Sequence, residues 1–211
     1  LTRSSAASDV YKRQETDFRS YLLKAKATNP DALVCSGLVD ETVRCLVQSY
    51  EVGIPKSVAR VANSVASKVE VPTNAGKAAV GVSYAAAFAA SDTRPIAKKF
   101  VKHIKSTYGV VPGHDFSQME DLLTMLKPAL EKAEKRFSGD LASDRKAVRD
   151  SIAGITNFTG LASGPISFCA AGTPECRDGN RTPVMIEYTK GGKNWKTKVA
   201  GTVTFLSLIH I

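Results

Sequence analysis

The chain has 211 residues, 43% hydrophobic and 23% charged, with 29 Lys and Arg against 20 Asp and Glu for a formal charge of +9. That length suits one domain or parts of two, and no apolar run approaches the roughly 18 residues of a membrane-spanning helix. A basic excess admits nucleic acid or an anionic surface as partners, but here the lysines are scattered without a tight run or interleaved aromatics, the pattern of an ordinary basic protein with no nucleic-acid partner.

Both ends read as foreign. Asp9–Gln14 (Asp-Val-Tyr-Lys-Arg-Gln) and residues 206–211 (Leu-Ser-Leu-Ile-His-Ile) can be encoded by opposite strands of one DNA element, GATGTGTATAAGAGACAG and its reverse complement. That element is the transposon end used in sequencing libraries, and Ser4–Ser8 match the adapter attached to it. We therefore expect residues 1–14 and 206–211 to be adapter-derived and residues 15–205 to be an internal stretch of a natural protein, and only the latter enters the fold reasoning. Setting aside Arg3, Lys12 and Arg13 against Asp9 lowers the 29 basic and 20 acidic residues to 26 and 19, net +7.

Asp17 to Ala27 is predicted to be a helix, with Phe18, Tyr21, Leu22 and Ala25 at helical spacing and Thr28-Asn29-Pro30 as its stop. Ala32–Cys35 is a short apolar run of the kind that becomes a buried parallel strand. Ser36-Gly37 turns the chain, and Asp40 and Glu41 open a helix whose N-terminus they suit electrostatically. Val43, Leu46, Val47 and Tyr50 form its apolar face, and Gly53 with Pro55 ends it. Val58–Val61 is the next strand, and Asn63-Ser64 the loop after it. In an open α/β sheet, ligands sit at loops leaving the carboxyl ends of parallel strands. Gly37–Asp40 and Ala62–Val65 are therefore expected to face a ligand.

Val69 to Ala75 is polar and broken by Pro72, and a strand is expected over Ala79–Ser83. Arg94 to Tyr108 has the features of a helix, with Pro95 in the first turn and Ala97, Phe100, Val101, Ile104 and Tyr108 on one face. Lys98, Lys99, Lys102 and Lys105 are its solvated side. Asp115 or Ser117 is expected to cap the next helix. There Met119, Leu122, Leu123, Leu126, Leu130 and Ala133 make a stripe regular enough to be core. Ser143 is expected to cap a further helix to about Ala153, with Ala147, Val148 and Ile152 inward. Ile166–Phe168, Val184–Tyr188 and Thr197–Phe205 are strand-like, the last two joined by a hairpin at Gly191-Gly192.

The chemistry-bearing residues are few. Cys35 and Cys45 read as small core residues, one on a strand and one on a helix. Cys169 and Cys176 flank a short polar loop with Gly and Pro, where they form either a disulfide, which implies an oxidising compartment, or two free thiols. His103 and His114 lie apart from the cysteines, so no metal site is expected. There is no nucleophile elbow, phosphate loop or HExxH motif. Asp40 and Glu41 could act as an acid/base pair, but adjacent acids at a helix start serve the helix terminus far more often. No catalytic residue and no cofactor is assigned, and an enzyme is not expected.

Asp17-Phe18 followed by Leu22, Lys24 and Asn29-Pro30-Asp31, then Gly37, Glu41, Gln48 and Gly53-Ile54, resembles the substrate-binding proteins of branched-chain amino-acid ABC transporters. The pattern continues through Gly81-Val82, Pro95, Phe100-Val101, Tyr108-Gly109, Ala129-Leu130, Phe158-Thr159-Gly160 and Gly164–Phe168. The resemblance implies an α/β type I periplasmic-binding fold, two Rossmann-like lobes with parallel sheets, here incomplete. Residues from 15 to about 113 would belong to the second lobe. Those from about 114 to 160 would return to the first lobe, and those from about 166 to 205 would cross back. It also implies binding rather than catalysis: a small solute, an amino acid or analogue, is captured outside the cytoplasm, in the periplasm, and delivered to a membrane permease. In the family the second lobe offers an aromatic near the ligand side chain and an acid for its ammonium. Those positions fall at Leu38 and near Asn63, neither of the favoured type, so the ligand is expected to be an amide, a carboxylic acid or an aromatic compound, with replacement of the acid by Asp40 or Glu41 as the alternative. A sensor ectodomain or regulator on the same fold is the alternative.

Overall fold

The computed structural model describes residues 15–162, 165–168 and 183–202. Among them a five-stranded sheet runs in the order β1-β2-β3-β4-β5 (Ala32–Cys35, Ala59–Ala62, Val82–Ala86, Val184–Lys190, Lys196–Thr202). The chain divides into two units.

Over the described residues, the first unit comprises 15–66, Glu70–Ser83 and Tyr188–Lys196. It begins with the predicted strand–helix–strand. β1 pairs in parallel with β2, Ala32 opposite Ala59 and Cys35 opposite Ala62. The crossover is α2 (Val39–Glu51), which packs on α1 (Arg19–Ala27), on β1 and on α3 (Glu70–Ala75). Gly53 stops α2 at φ +69°, a backbone region nearly free of cost only for glycine. Leu22, Ile54 and Val58 form a core against Phe18, Leu33, Cys45 and Val52.

The buried face of α2 is turned from the expected one. Thr42, Leu46, Gln48 and Ser49 are buried, Val43 and Val47 half-buried, and Tyr50 is exposed. Hydropathy misses this because the polar residues bring their own partners. Ser49 Oγ donates to the Leu46 carbonyl at 2.8 Å. Gln48 Oε1 accepts from the Phe18 amide, and its Nε2 donates to the Thr16 carbonyl at 2.9 Å. Buried polar groups satisfied in this way cost little.

Residues 70–75 are helical despite Pro72, which sits in the first turn of α3, where a missing N–H breaks no intrahelical bond. A 3-10 turn over Gly76–Ala79 follows, so β3 starts at Val82, three residues beyond the expected start. The turn between β4 and β5 returns to this region. Gly81 N donates to the Tyr188 carbonyl at 2.8 Å, Gly192 N to the Pro72 carbonyl at 2.7 Å, and Tyr188 Oη to the Ala66 carbonyl. β5 is described to Thr202, and the remainder of the expected strand to Phe205 lies outside the described residues.

Over the described residues, the second unit comprises Ser67–Val69, 84–162, 165–168, 183–187 and 197–202. α4 (Pro95–Tyr108) starts on proline and ends at Gly109, φ +69°. Its Ala97 joins Phe88 and Leu161 in a core cluster, and the Phe88 and Phe100 rings meet edge-to-face at 5.8 Å. α5 (His114–Glu134) packs against α6 (Leu141–Ala153). Neither Asp115 nor Ser117 caps α5; Gly113 holds that position, with no side-chain cap. A Cβ there would come within 2.8 Å of the Ser67 carbonyl, so the close approach excludes a capping side chain. α6 is capped by Asp140, which accepts from the Ser143 amide at 2.8 Å, rather than by Ser143 itself. Ile166 makes one antiparallel bridge to Phe158 instead of opening a strand.

The α5 stripe is the main departure. The buried side is Ser117, Asp121, Met125, Ala129 and Ala133. Of the expected core residues only Ala133 is buried; Met119, Leu122, Leu123 and Leu130 are exposed, Leu123 to 64%. α5 therefore buries a face of small and polar residues around Met125 and exposes most of its leucines. Periodicity reveals apolar faces but not which of them has a partner.

Candidate ligand-binding site

The two loops expected to face a ligand lie together, because they leave the same ends of two adjacent parallel strands. Asn63, just after β2, donates from Nδ2 to the Gly37 carbonyl, just after β1, at 2.9 Å. Thr42 Oγ1 reaches the same carbonyl at 3.4 Å. Gly37 is required by space: a Cβ there would lie 2.7 Å from Glu41 Cβ and 3.7 Å from the Thr42 amide nitrogen. Leu38 occupies the position before α2 and is 64% exposed. Asp40 is exposed in the first turn, and Glu41 and Asn63 are half-buried.

Two acceptors here have no hydrogen-bond partner. Glu41 Oε2 and Asn63 Oδ1 are both shielded from solvent and unbonded. The orientation of the Asn63 amide is dictated chemically, since turning it over would set its oxygen against the Gly37 carbonyl. A buried acceptor without a donor carries a desolvation penalty of about 1–3 kcal/mol. The rim of this loop pair is thus short of donors, and what it offers is acceptor oxygen and, at Glu41 and Asp40, negative charge. On β2, Arg60 is turned instead toward the segment after α2, donating to the Ile54 carbonyl at 2.8 Å, and burial pushes its guanidinium down from the ordinary value.

Cys35 and Cys45 correct the sequence reading: they are not free core thiols but a disulfide, with Cα atoms 5.8 Å apart. Cys35 ends β1 and Cys45 lies in the second turn of α2, so the crossover folds them together, inside the usual span of such bonds. The signal was available in an even cysteine count and a strand end followed by a helix, but ten residues of separation alone do not fix a distance. Cys169 and Cys176 lie outside the described residues, and so does the bond considered between them. Among the described residues no group of three or more His, Cys, Asp or Glu stands close enough to hold a metal ion, and no helix is long and apolar enough to cross a membrane.

A model of the periplasmic binding protein family matches residues 4–177, a span that begins within the stretch read as adapter-derived. No curated protein matches. Among solved structures, a leucine binding protein, LivK, of Thermotoga maritima is 24% identical, with TM-score 0.70 over 90% of this chain and 49% of its own. LivJ, a branched-chain amino acid transporter substrate binding protein of Streptococcus pneumoniae in complex with isoleucine, is 21% identical with TM-score 0.70, over 90% of this chain and 49% of its own. An ABC transporter solute binding protein of Rhodopseudomonas palustris in complex with benzoate is 19% identical with TM-score 0.67, over 89% and 47%. The chain spans about half the length of these solved proteins, and at such identities they establish the fold alone.

Proposed function

Because the chain belongs to the periplasmic binding protein family, we propose that it is part of the extracytoplasmic solute-binding component of an ABC transporter. In this reading the complete protein closes two lobes on a small solute by hinge motion and delivers it to a membrane permease. Its fold is the type I periplasmic-binding fold, α/β with a parallel β1–β2 pair, and the family is one of binding proteins rather than enzymes. Residues from 15 to about 113 are assigned to the second lobe, about 114 to 160 to the first, and about 166 to 205 to the second again.

The observation that carries the reading is the joined loop pair at Gly37 and Asn63, with its two unpartnered acceptors. A ligand that donates hydrogen bonds there, an amino acid or an amide, fits better than one that presents only a carboxylate. Asn63 is neutral, so Glu41 or Asp40 supplies the charge opposite a ligand ammonium, and Leu38 supplies apolar contact. The Cys35–Cys45 bond supports an oxidising, extracytoplasmic setting.

The test is a ligand-dependent melting series on the complete gene product with leucine, isoleucine, benzoate and 4-methylpentanoate, which is leucine without its amino group. Binding to the native state raises the midpoint increasingly with concentration. Leucine or isoleucine is expected to act where 4-methylpentanoate does not, and Glu41→Gln to weaken the effect about tenfold or more, as loss of a charge-assisted bond does. Absence of any shift with all four would remove the transport reading for this group of solutes.

A further inference from the structure

The Cys35–Cys45 bond encloses the segment that carries Gly37, Leu38, Asp40 and Glu41. Its two ends are anchored by the fold, but the helix start between them is not. On one side β1 is anchored by its pairing with β2, and Cys35 is 1% exposed. On the other side α2 starts without a side-chain cap, because Leu38 stands at the cap position and offers no acceptor. Uncapped helix starts leave their first amides to water and fray readily. The segment is tied to its neighbour by the Asn63–Gly37 bond, and the long Thr42–Gly37 contact lies within it. Cys45, in contrast, sits one turn beyond the frayable start and packs on the Leu22, Ile54 and Val58 core.

Resting on the proposed binding function, we propose that Cys35 and Cys45 are positioning residues for ligand binding: their bond stands in for the missing cap and holds the 36–42 segment in its binding arrangement before ligand arrives. The bond clamps the second turn of α2 to the end of β1. The loop between them then has few alternative paths, and Glu41 keeps its place beside Gly37. Without the bond, the first turn of α2 opens and closes, and only the closed fraction meets the ligand. Apparent affinity falls in proportion to that fraction. A segment formed one time in ten binds about tenfold more weakly. Reduction by dithiothreitol has the same effect: two electrons and two protons pass to the bridge, each sulfur leaves as a thiol, and the reductant closes as its own cyclic disulfide.

The complete gene product and its Cys35→Ala/Cys45→Ala variant, which leaves Cys169 and Cys176 untouched, test this. Peptide mapping under non-reducing conditions is expected to recover residues 35 and 45 as one cross-linked species; two free thiols there in air-oxidised protein would overturn the proposal. In the variant, amide hydrogen exchange over residues 36–42 is expected to speed up about tenfold or more while β1 and β2 keep their protection. The dissociation constants for leucine and benzoate, measured well below the melting midpoint, are expected to rise about tenfold for whichever binds. Exchange over 36–42 unchanged in the folded variant, or a dissociation constant within twofold of the parent, sinks the proposal. If the variant does not fold, the same exchange measurement on the parent before and after mild reduction decides it. If neither solute binds the parent, the transport reading has failed for these solutes, and the exchange result still tells whether the bond holds the loop.

Discussion

Asp121 and Gly160 show how closely one part of the chain can be specified. The Asp121 carboxylate, 4% exposed in α5, accepts the amides of Leu161 at 2.6 Å and Ala162 at 2.8 Å. Arg94 holds the carbonyls of those two residues and of Gly160, with Nη2 on Leu161 at 2.5 Å and Nη1 on Gly160 and Ala162 at 3.2 Å. Its own orientation is set by Asp92, which accepts from the Arg94 Nε at 2.8 Å. Asp121→Asn keeps one acceptor and sets an NH2 group against the second amide, so it is expected to cost about 1–3 kcal/mol in denaturant unfolding. Gly160→Ala drives a Cβ into Asp121 Oδ1 and to 2.6 Å from Phe158 Cε1, and a similar loss of about 1–3 kcal/mol is expected from overpacking. Asp150 gives a prediction about pH. Hydrogen bonding from Lys146 first, and then Arg149, lowers its carboxyl from the ordinary 3.8 to about 2. A depressed folded value means that its contribution is present above about pH 4 and is lost as the pH falls toward 2. An NMR titration of Asp150 should show the low value, and Lys146→Ala should raise it. At this scale the sequence was informative where backbone geometry dictates position. The loops at Gly37 and Asn63 were legible because parallel neighbours end at the same edge. The Asp121–Leu161 and Cys35–Cys45 contacts were not, since each depends on how two elements meet.

Helices were legible as helices, but their buried faces were read less well. α1, α2, α4, α5 and α6 lie where spacing and stop signals put them. On α2 the face turned toward Thr42 and Ser49, because hydroxyls that bond nearby backbone carbonyls, Gly37 before the helix and Leu46 within it, pass into a core at little cost. On α5 the leucine-rich side is exposed, with Leu123, Leu126, Leu130 and Phe137 lining an apolar groove edged by Lys127, Glu131 and Glu134. An exposed apolar stripe of this kind favours association. The isolated segment 15–205 is therefore expected to self-associate in sedimentation velocity and to enhance the fluorescence of a hydrophobic dye. Leu123→Glu/Leu130→Glu should reduce both while changing unfolding stability by less than about 0.5 kcal/mol per site, as exposed substitutions do. A sharp melt of a monomeric parent without dye binding would contradict this.

For the whole molecule, alternation of strand and helix led to the α/β class, and the order of short motifs led to the family. Neither could show that the first unit is assembled from three separate pieces of chain. Its last piece is the turn between β4 and β5. There Gly191 leaves no room for a side chain against the Gly76 carbonyl, Gly192 bonds Pro72, and Tyr188 bonds Ala66. A ribosome makes Ser83 and then roughly one hundred more residues before it reaches Tyr188, a wait on the order of 5–20 s at ordinary elongation rates. Throughout that interval Pro72, Gly76 and Ala66 wait for partners that have not yet been translated. The nascent chain can form the β1–α2–β2 crossover early, from local contacts, but it cannot finish the unit to which that crossover belongs until its own second half has emerged.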